Sequence, residues 1–136
     1  MDDVLADLPG YSLRRASTAM LLEFSALLQP LGLRPTDASI LVLITANPGI
    51  TQSALGQAMG IQRANMTPLI ARLEECGYLA RIEVDGRSFG LELTPSGAQI
   101  SSQVQAAIAT HQQRIFERIP NEHREHLVPA LKALWQ

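Results

Sequence analysis

The chain holds one cysteine, Cys76, among 136 residues, which excludes an internal disulfide and any multi-thiolate metal centre. Aromatic side chains make up only 4%, so few groups could stack on a planar ligand. Lysine is almost missing: ten of the eleven basic residues are Arg, and Lys132 is the exception. That bias reads as genomic base composition first, and as recognition chemistry only where position supports it. No sign of charge dominates, since 13 acids face 11 bases for a net charge of −2. A polybasic protein that binds nucleic acid by bulk attraction is therefore excluded, although a few well-placed arginines are not. Charged residues total 18%, below the usual quarter, which excludes a self-repelling disordered chain. No apolar run approaches the ~18 residues of a membrane span; Ile40–Ile44 is about the longest pure stretch. The opening Met1–Asp7 is acidic and lacks the basic-then-apolar order of a signal peptide. A reducing cytoplasm is the expected home, with no membrane partner.

What is present is 46% hydrophobic residues, enough for one domain spanning 1–136 that buries about two-thirds of its unfolded surface. Helical periodicity dominates. From Tyr11 to Leu31, Leu13, Ala16, Met20, Phe24, Leu27 and Leu31 recur at steps of three and four, and Gly32 stops the helix. This stripe is longer than one small core requires, and part of it is expected to be an oligomer seam. A second helix begins near Pro35 and ends before the Asn47-Pro48-Gly49 turn. Thr51 is the expected N-cap of a third, Gln52 to Met59, which Gly60 ends. A fourth follows from Gln62 to Cys76, with Met66, Leu69, Ile70 and Leu73 inward and Gly77 as its stop.

The period then changes. Leu79–Val84 and Arg87–Leu93 alternate around Asp85-Gly86, the strongest short-range signal of a two-residue hairpin turn. Thr94-Pro95 caps a long helix carrying Ile100, Val104, Ile108, His111 and Ile115 along one side, to about Ile119. Pro120 breaks it, and a last helix from Asn121 to Trp135 is expected to kink at Pro129. The fold class is mainly α with a small β-hairpin.

Two short helices joined by a tight glycine-containing turn form a helix-turn-helix candidate. The hairpin directly behind the second helix would project beside it as a wing, reaching the minor groove while the helix lies in the major groove. Gln62, Arg63, Asn65 and Thr67 cluster in the first two turns of that helix, and no acid occurs between Gln52 and Arg72. Arg pairs with guanine O6 and N7, Asn and Gln with adenine N6 and N7, and Thr67 or Ala64 can meet a thymine methyl. The same residues would also suit an ordinary solvated helix face. The wing favours DNA.

Three stretches resemble one family. Leu31-Gly32-Leu33 with Asn47–Leu55 looks like the approach to the helix-turn-helix of MarR-type transcriptional regulators. Arg72–Leu79 is similar to that family's recognition-helix exit. Asp85-Gly86-Arg87 followed by Leu93-Thr94-Pro95-Ser96-Gly97 matches its wing pattern. The resemblance implies a homodimeric winged helix-turn-helix protein, with dimerisation helices at 10–32 and 95–136 and a DNA-binding region at 34–94. Its partner is double-stranded DNA carrying a pseudo-palindromic operator, with half-sites about 10 base pairs apart. By motif position, Arg63, Ala64, Asn65, Thr67 and Pro68 face the major groove, beside Gln62. Arg87 is the minor-groove arginine, held by Asp85, while Gln52, Ser53 and Arg72 position phosphates. The family usually represses its target genes and releases DNA when a small aromatic or phenolic molecule binds. Three departures stand out: a wing about two residues short, Gly86 where a second basic residue is common, and Pro68 where many members have Arg.

The remaining candidates are weaker. A Thr-Pro-Leu sequence such as Thr67–Leu69 also occurs in the family's peroxide-sensing branch, which offers a thiol-sensing alternative through Cys76. Its neighbours Glu74 and Glu75 oppose a reactive thiolate, so a structural role is expected. His123 and His126 lie three apart beside Glu122 but fit a solvated helix face, and no metal or cofactor is expected. No phosphate loop, nucleophile motif or ligand spacing is present, so no enzyme activity is expected. For an effector, Arg14 and Arg15 on the first helix, with Tyr11 and Met20, are candidates, since an Arg there could pair with a ligand carboxylate. An alternative to DNA binding is a winged-helix module for protein contact, because Thr51–Gly97 holds four Arg against five acids.

Overall fold

A computed structural model describes residues 1–136. Helix α1 (Pro9–Leu28) starts on a proline at its first position, tightens into a 3-10 turn over Gln29–Leu31, and stops at Gly32. Only Leu28 of α1 is buried, and Leu13, Leu21 and Leu22 stay exposed. Helix α2 (Pro35–Ala46) is apolar almost all round, as a helix surrounded by others must be. Its Ala38, Ile40, Leu41 and Ile44 lie at the centre of the core, against α1, α5 and the sheet.

Helices α3 (Gln52–Met59) and α4 (Arg63–Glu75) follow the expected bounds closely. Thr51 caps α3 through its hydroxyl, which accepts from the Ala54 N–H at 3.1 Å. The two helices cross closely at Gly56, where a Cβ would lie 2.9 Å from Met66 Cγ and 3.0 Å from the Ile61 carbonyl oxygen. An alanine there would force the buried Met66 side chain and the Ile61 carbonyl to shift. Met66, Ile70 and Leu73 bury the inner face of α4, and Leu69 is half-buried. Each of the three contributes about 1.5–3 kcal/mol by burial.

The sheet has three strands rather than the two expected. β1 (Ile50–Thr51), β2 (Leu79–Glu83) and β3 (Phe89–Leu93) lie antiparallel in the order β1-β3-β2. β1 pairs Ile50 with Leu91 and Thr51 with Gly90, which ties the entry of α3 to the wing. The wing turn also differs. Val84 N–H donates to the Ser88 carbonyl at 3.1 Å, so three residues, Asp85, Gly86 and Arg87, form the tip. Only Gly86 takes a positive φ, of 78°. A two-residue turn of the expected kind needs it at both centres, and Asp85 instead spends its carboxylate on the backbone ahead of it.

Helix α5 (Pro95–Arg118) is capped by Thr94, whose hydroxyl accepts from Gly97 N–H at 2.9 Å. The last segment divides into a 3-10 turn at Asn121–His123 and α6 (Arg124–Lys132), which ends before the expected Trp135. No residue of α6 is buried, and Val128, Leu131, Leu134 and Trp135 are exposed. No single helix is long and apolar enough to cross a membrane.

Candidate nucleic-acid interface

The outer face of α4 is built by exclusion. With Met66, Ile70 and Leu73 turned into the core, Arg63, Ala64, Asn65, Thr67, Pro68 and Ala71 are all exposed. Gln62 sits at the N-cap with extended backbone and no capping bond from its side chain, so its amide stays available. Thr67 is fixed from two sides: its hydroxyl accepts from Gln52 Nε2 at 3.1 Å and donates to the Arg63 carbonyl at 3.4 Å. Gln52 at the start of α3 thereby braces the recognition helix. Pro68 removes the N–H that would bond the Ala64 carbonyl. The helix nevertheless continues unbroken to Glu75, with that carbonyl on the exposed side.

Between α3, α4 and the sheet lies a groove of about 490 Å³, lined by Thr51, Gln52, Ser53, Arg63, Thr67, Arg81, Ser88 and Phe89. Two arginines and no acid line it. Four sequence candidates, Gln52, Ser53, Arg63 and Thr67, meet here. Arg81 was missed by sequence reasoning. It lies in β2, paired across the strand with Leu91, and the available signal was its opposite charge seven residues after Glu74. Their side chains form a bidentate pair, with Arg81 Nε donating at 3.1 and 3.2 Å and Nη2 at 2.8 Å. The carboxylate of Glu74 raises the guanidinium's affinity for its proton through that hydrogen bond.

Arg72 departs from expectation. Instead of facing outward toward phosphate, its guanidinium donates to the buried carboxylate of Asp37 and, at 3.1 Å, to the Gly32 carbonyl. Its proton is held more firmly because of that hydrogen bond to Asp37. The Asp37 oxygen that receives it also accepts from Arg34 N–H at 2.7 Å. Arg72 therefore ties the end of α4 to the α1–α2 corner.

At the wing tip, Asp85 Oδ1 accepts from the backbone N–H of Arg87 at 3.1 Å and of Ser88 at 2.8 Å. Those bonds, that to Arg87 first, hold its carboxyl below the ordinary range. Asp85 thus grips the backbone of Arg87 and leaves the guanidinium exposed, without an ion pair inside the chain.

The effector candidates do not converge. Arg14 and Arg15 stack over the Tyr11 ring at 5.9 and 5.8 Å, and Arg15 Nη1 donates to the Tyr11 hydroxyl at 3.0 Å. Met20 lines a different, apolar groove with Leu13, Phe116 and Leu131. A separate cavity of about 390 Å³ opens between α1, α2, α3 and α5, with Phe24, Val42, Met59 and Ile108 among its lining. Phe24 stacks on His111, with ring centres 5.3 Å apart and planes 7° from parallel. His123 and His126 pair with their exposed neighbours Glu122 and Glu125 at 3.3 and 3.2 Å. Cys76 is exposed at the end of α4.

A helix-turn-helix flanked by a hairpin, with an outer helix face free of acids from Gln62 to Arg72 and a basic groove between them, defines a winged-helix DNA-binding protein. The model of the MarR family matches residues 31–88. The chain is 31% identical over 130 residues to a transcriptional regulatory protein for the hcr operon of Thauera aromatica, covering 93% of this chain and 78% of that one. The transcriptional repressor CouR bound to a 23-mer DNA duplex superposes with a TM-score of 0.91 at 30% identity, over 98% of this chain and 96% of that one. CouR from Rhodococcus jostii RHA1 bound to p-coumaroyl-CoA gives 0.87 at 26% identity, over 98% and 95%. The chain belongs to the MarR family of transcriptional regulators.

Proposed function

We propose that the protein is a homodimeric repressor that reads a pseudo-palindromic operator and releases it on binding a small aromatic effector. The outer face of α4 carries this reading: Gln62, Arg63, Ala64, Asn65, Thr67 and Pro68 are exposed together. Arg87 stands at the tip of the adjoining wing. In the proposed division of labour, residues 34–94 read DNA while 10–32 and 95–136 dimerise. The exposed leucines of α1 and α6 are the surface a second copy covers. The protein works by binding alone, without a catalytic step, in the cytoplasm where its DNA lies. Arg72, engaged by Asp37, supports phosphate contacts only by holding α4 in place.

For the effector, the cavity beside Phe24 is a better seat than the Tyr11–Arg14–Arg15 cluster. Seven of its eight lining residues are hydrophobic, Ser39 is the exception, and none is charged. Such a lining suits an uncharged aromatic end and disfavours a buried carboxylate, which would lack a partner. CouR, which binds an aromatic acyl thioester, is of like shape. A gel shift with the DNA flanking the protein's own gene tests the reading. Retardation that weakens steeply from low to moderate salt, and again on adding an aromatic acyl thioester, is expected. No retardation at low salt would overturn it.

A further inference from the structure

We infer that Arg81 is a backbone-phosphate clamp held in position by Glu74, and that the groove it lines with Arg63 seats one phosphodiester of bound DNA. The inference rests on the DNA-binding reading and adds a contact that lies outside the recognition helix and the wing tip. The groove supplies the chemistry that a phosphate and its sugar require: two guanidinium groups, the Gln52 amide N–H left over from its bond to Thr67, the Ser53 hydroxyl, and no acid. Phe89 lines the same groove while 62% exposed, and gives the deoxyribose an apolar wall.

The atoms of the Arg81–Glu74 pair explain how it can serve this purpose. Glu74 takes Nε and Nη2, the side edge of the guanidinium. Nη1 keeps both of its N–H donors. An arginine held by one edge presents the remaining donors in a fixed direction, and much of its side-chain entropy is lost before DNA arrives. Stability alone is a poor account of the pair. Both side chains are partly exposed, at 44% and 29%, and such surface pairs contribute little to stability. Arg72, on the preceding helix, is engaged by Asp37, so Arg81 takes over the basic role at this edge of the site.

The test is a salt titration of the full-length protein on two duplexes, one from the DNA flanking its own gene and one of arbitrary sequence. Arg81→Gln is expected to weaken both alike and to make the slope of log affinity against log salt shallower by about 2 for a dimer, one per protomer. Arg81→Lys should restore the slope, because the charge returns. Glu74→Gln removes an acid beside the DNA yet should weaken binding in the wild-type background, and should no longer do so with Arg81→Gln. Circular dichroism melts verify that each variant folds. An unchanged slope, or a loss confined to one duplex, overturns the clamp while leaving DNA binding intact. Tighter binding by Glu74→Gln overturns the positioning role of Glu74. Failure of the wild-type protein to bind either duplex at low salt overturns the DNA-binding reading and the clamp together.

Discussion

Arg72, in the last turn of α4, and Asp37, in the first turn of α2, are joined across 35 residues of chain by an ion pair whose carboxylate is wholly buried. The guanidinium keeps 32% of its surface in water. This asymmetry decides what each partner is worth. A buried carboxylate that loses its cation has nowhere to go, whereas an arginine that loses its acid can turn outward.

Arg72→Met should therefore destabilise the protein by about 2 kcal/mol, less than a wholly uncompensated buried charge costs, because Arg34 stays beside Asp37 with its Nε at 3.7 Å and its N–H bonded at 2.7 Å. Asp37→Asn should cost clearly less. Urea unfolding of the two variants checks this, and equal costs would show that the burial of Asp37 carries no penalty. Because the pair also fixes the end of the recognition helix, Arg72→Met should weaken operator binding even at denaturant-free equilibrium.

At the wing, Arg87→Ala should weaken operator binding by about 1–3 kcal/mol if the guanidinium enters a groove and less if it only touches phosphate. Gel shifts at fixed salt measure it. The loss should exceed that of Ser88→Ala, which removes one hydroxyl at the same turn.

Asp85 gives the wing a pH dependence of defined sign. Its carboxyl, ordinarily near 3.8, is held lower by hydrogen bonds from Arg87 N–H, then Ser88 N–H and Ser88 Oγ–H. A depressed folded-state value means the contribution is complete above the free carboxyl's range and is lost as pH falls through the lower value. The Ser88 amide resonance, followed between about pH 6 and 2, should titrate with a midpoint below 3.8. A midpoint at or above it would remove the carboxylate from the turn.

The parts legible in sequence were those set by local chemistry. Thr51, Gly60 and Gly77 mark helix ends through caps and left-handed backbone, and α3 and α4 lie within a residue of their expected bounds. The outer face of α4 followed from helical period alone. What escaped depends on partners distant in sequence. Nothing near Arg72 announces Asp37, and an arginine beside a solvated phosphate has the same local sequence as one turned inward. β1 is two residues long, too short for any alternation to show, and exists because β3 offers it an edge. Asp-Gly satisfies two turn types, and the side chain of Asp85 chooses between them. Tyr11, Arg14 and Arg15 place charge on an apolar helix, yet they satisfy one another on its surface.

Filling the cavity beside Phe24 should separate ligand response from DNA binding. Val42 lines that cavity on α2 and is not one of the exposed α4 residues. Val42→Phe should leave operator affinity within a few-fold of wild type and abolish release by an aromatic acyl thioester. A thermal-shift titration alongside the gel shift checks both, and retained release would place the effector elsewhere.

Leu131 lies on α6, which buries none of its residues, and lines the apolar groove that also contains Leu13, Met20 and Phe116. If a second copy covers this groove, a carboxylate introduced there must be desolvated on assembly, and the one cation in its lining, Arg118, is already held by Glu23. Leu131→Glu should then sediment as a monomer at micromolar concentration where the wild-type protein is a dimer. Its far-ultraviolet spectrum should remain helical, because the core around Leu41, Ile70 and Val104 lies elsewhere. Operator binding should collapse with the dimer, since a single recognition helix meets only one half-site. Non-specific binding at low salt should survive, because the basic groove belongs to each protomer. A dimeric Leu131→Glu variant would show that the interface runs along another face.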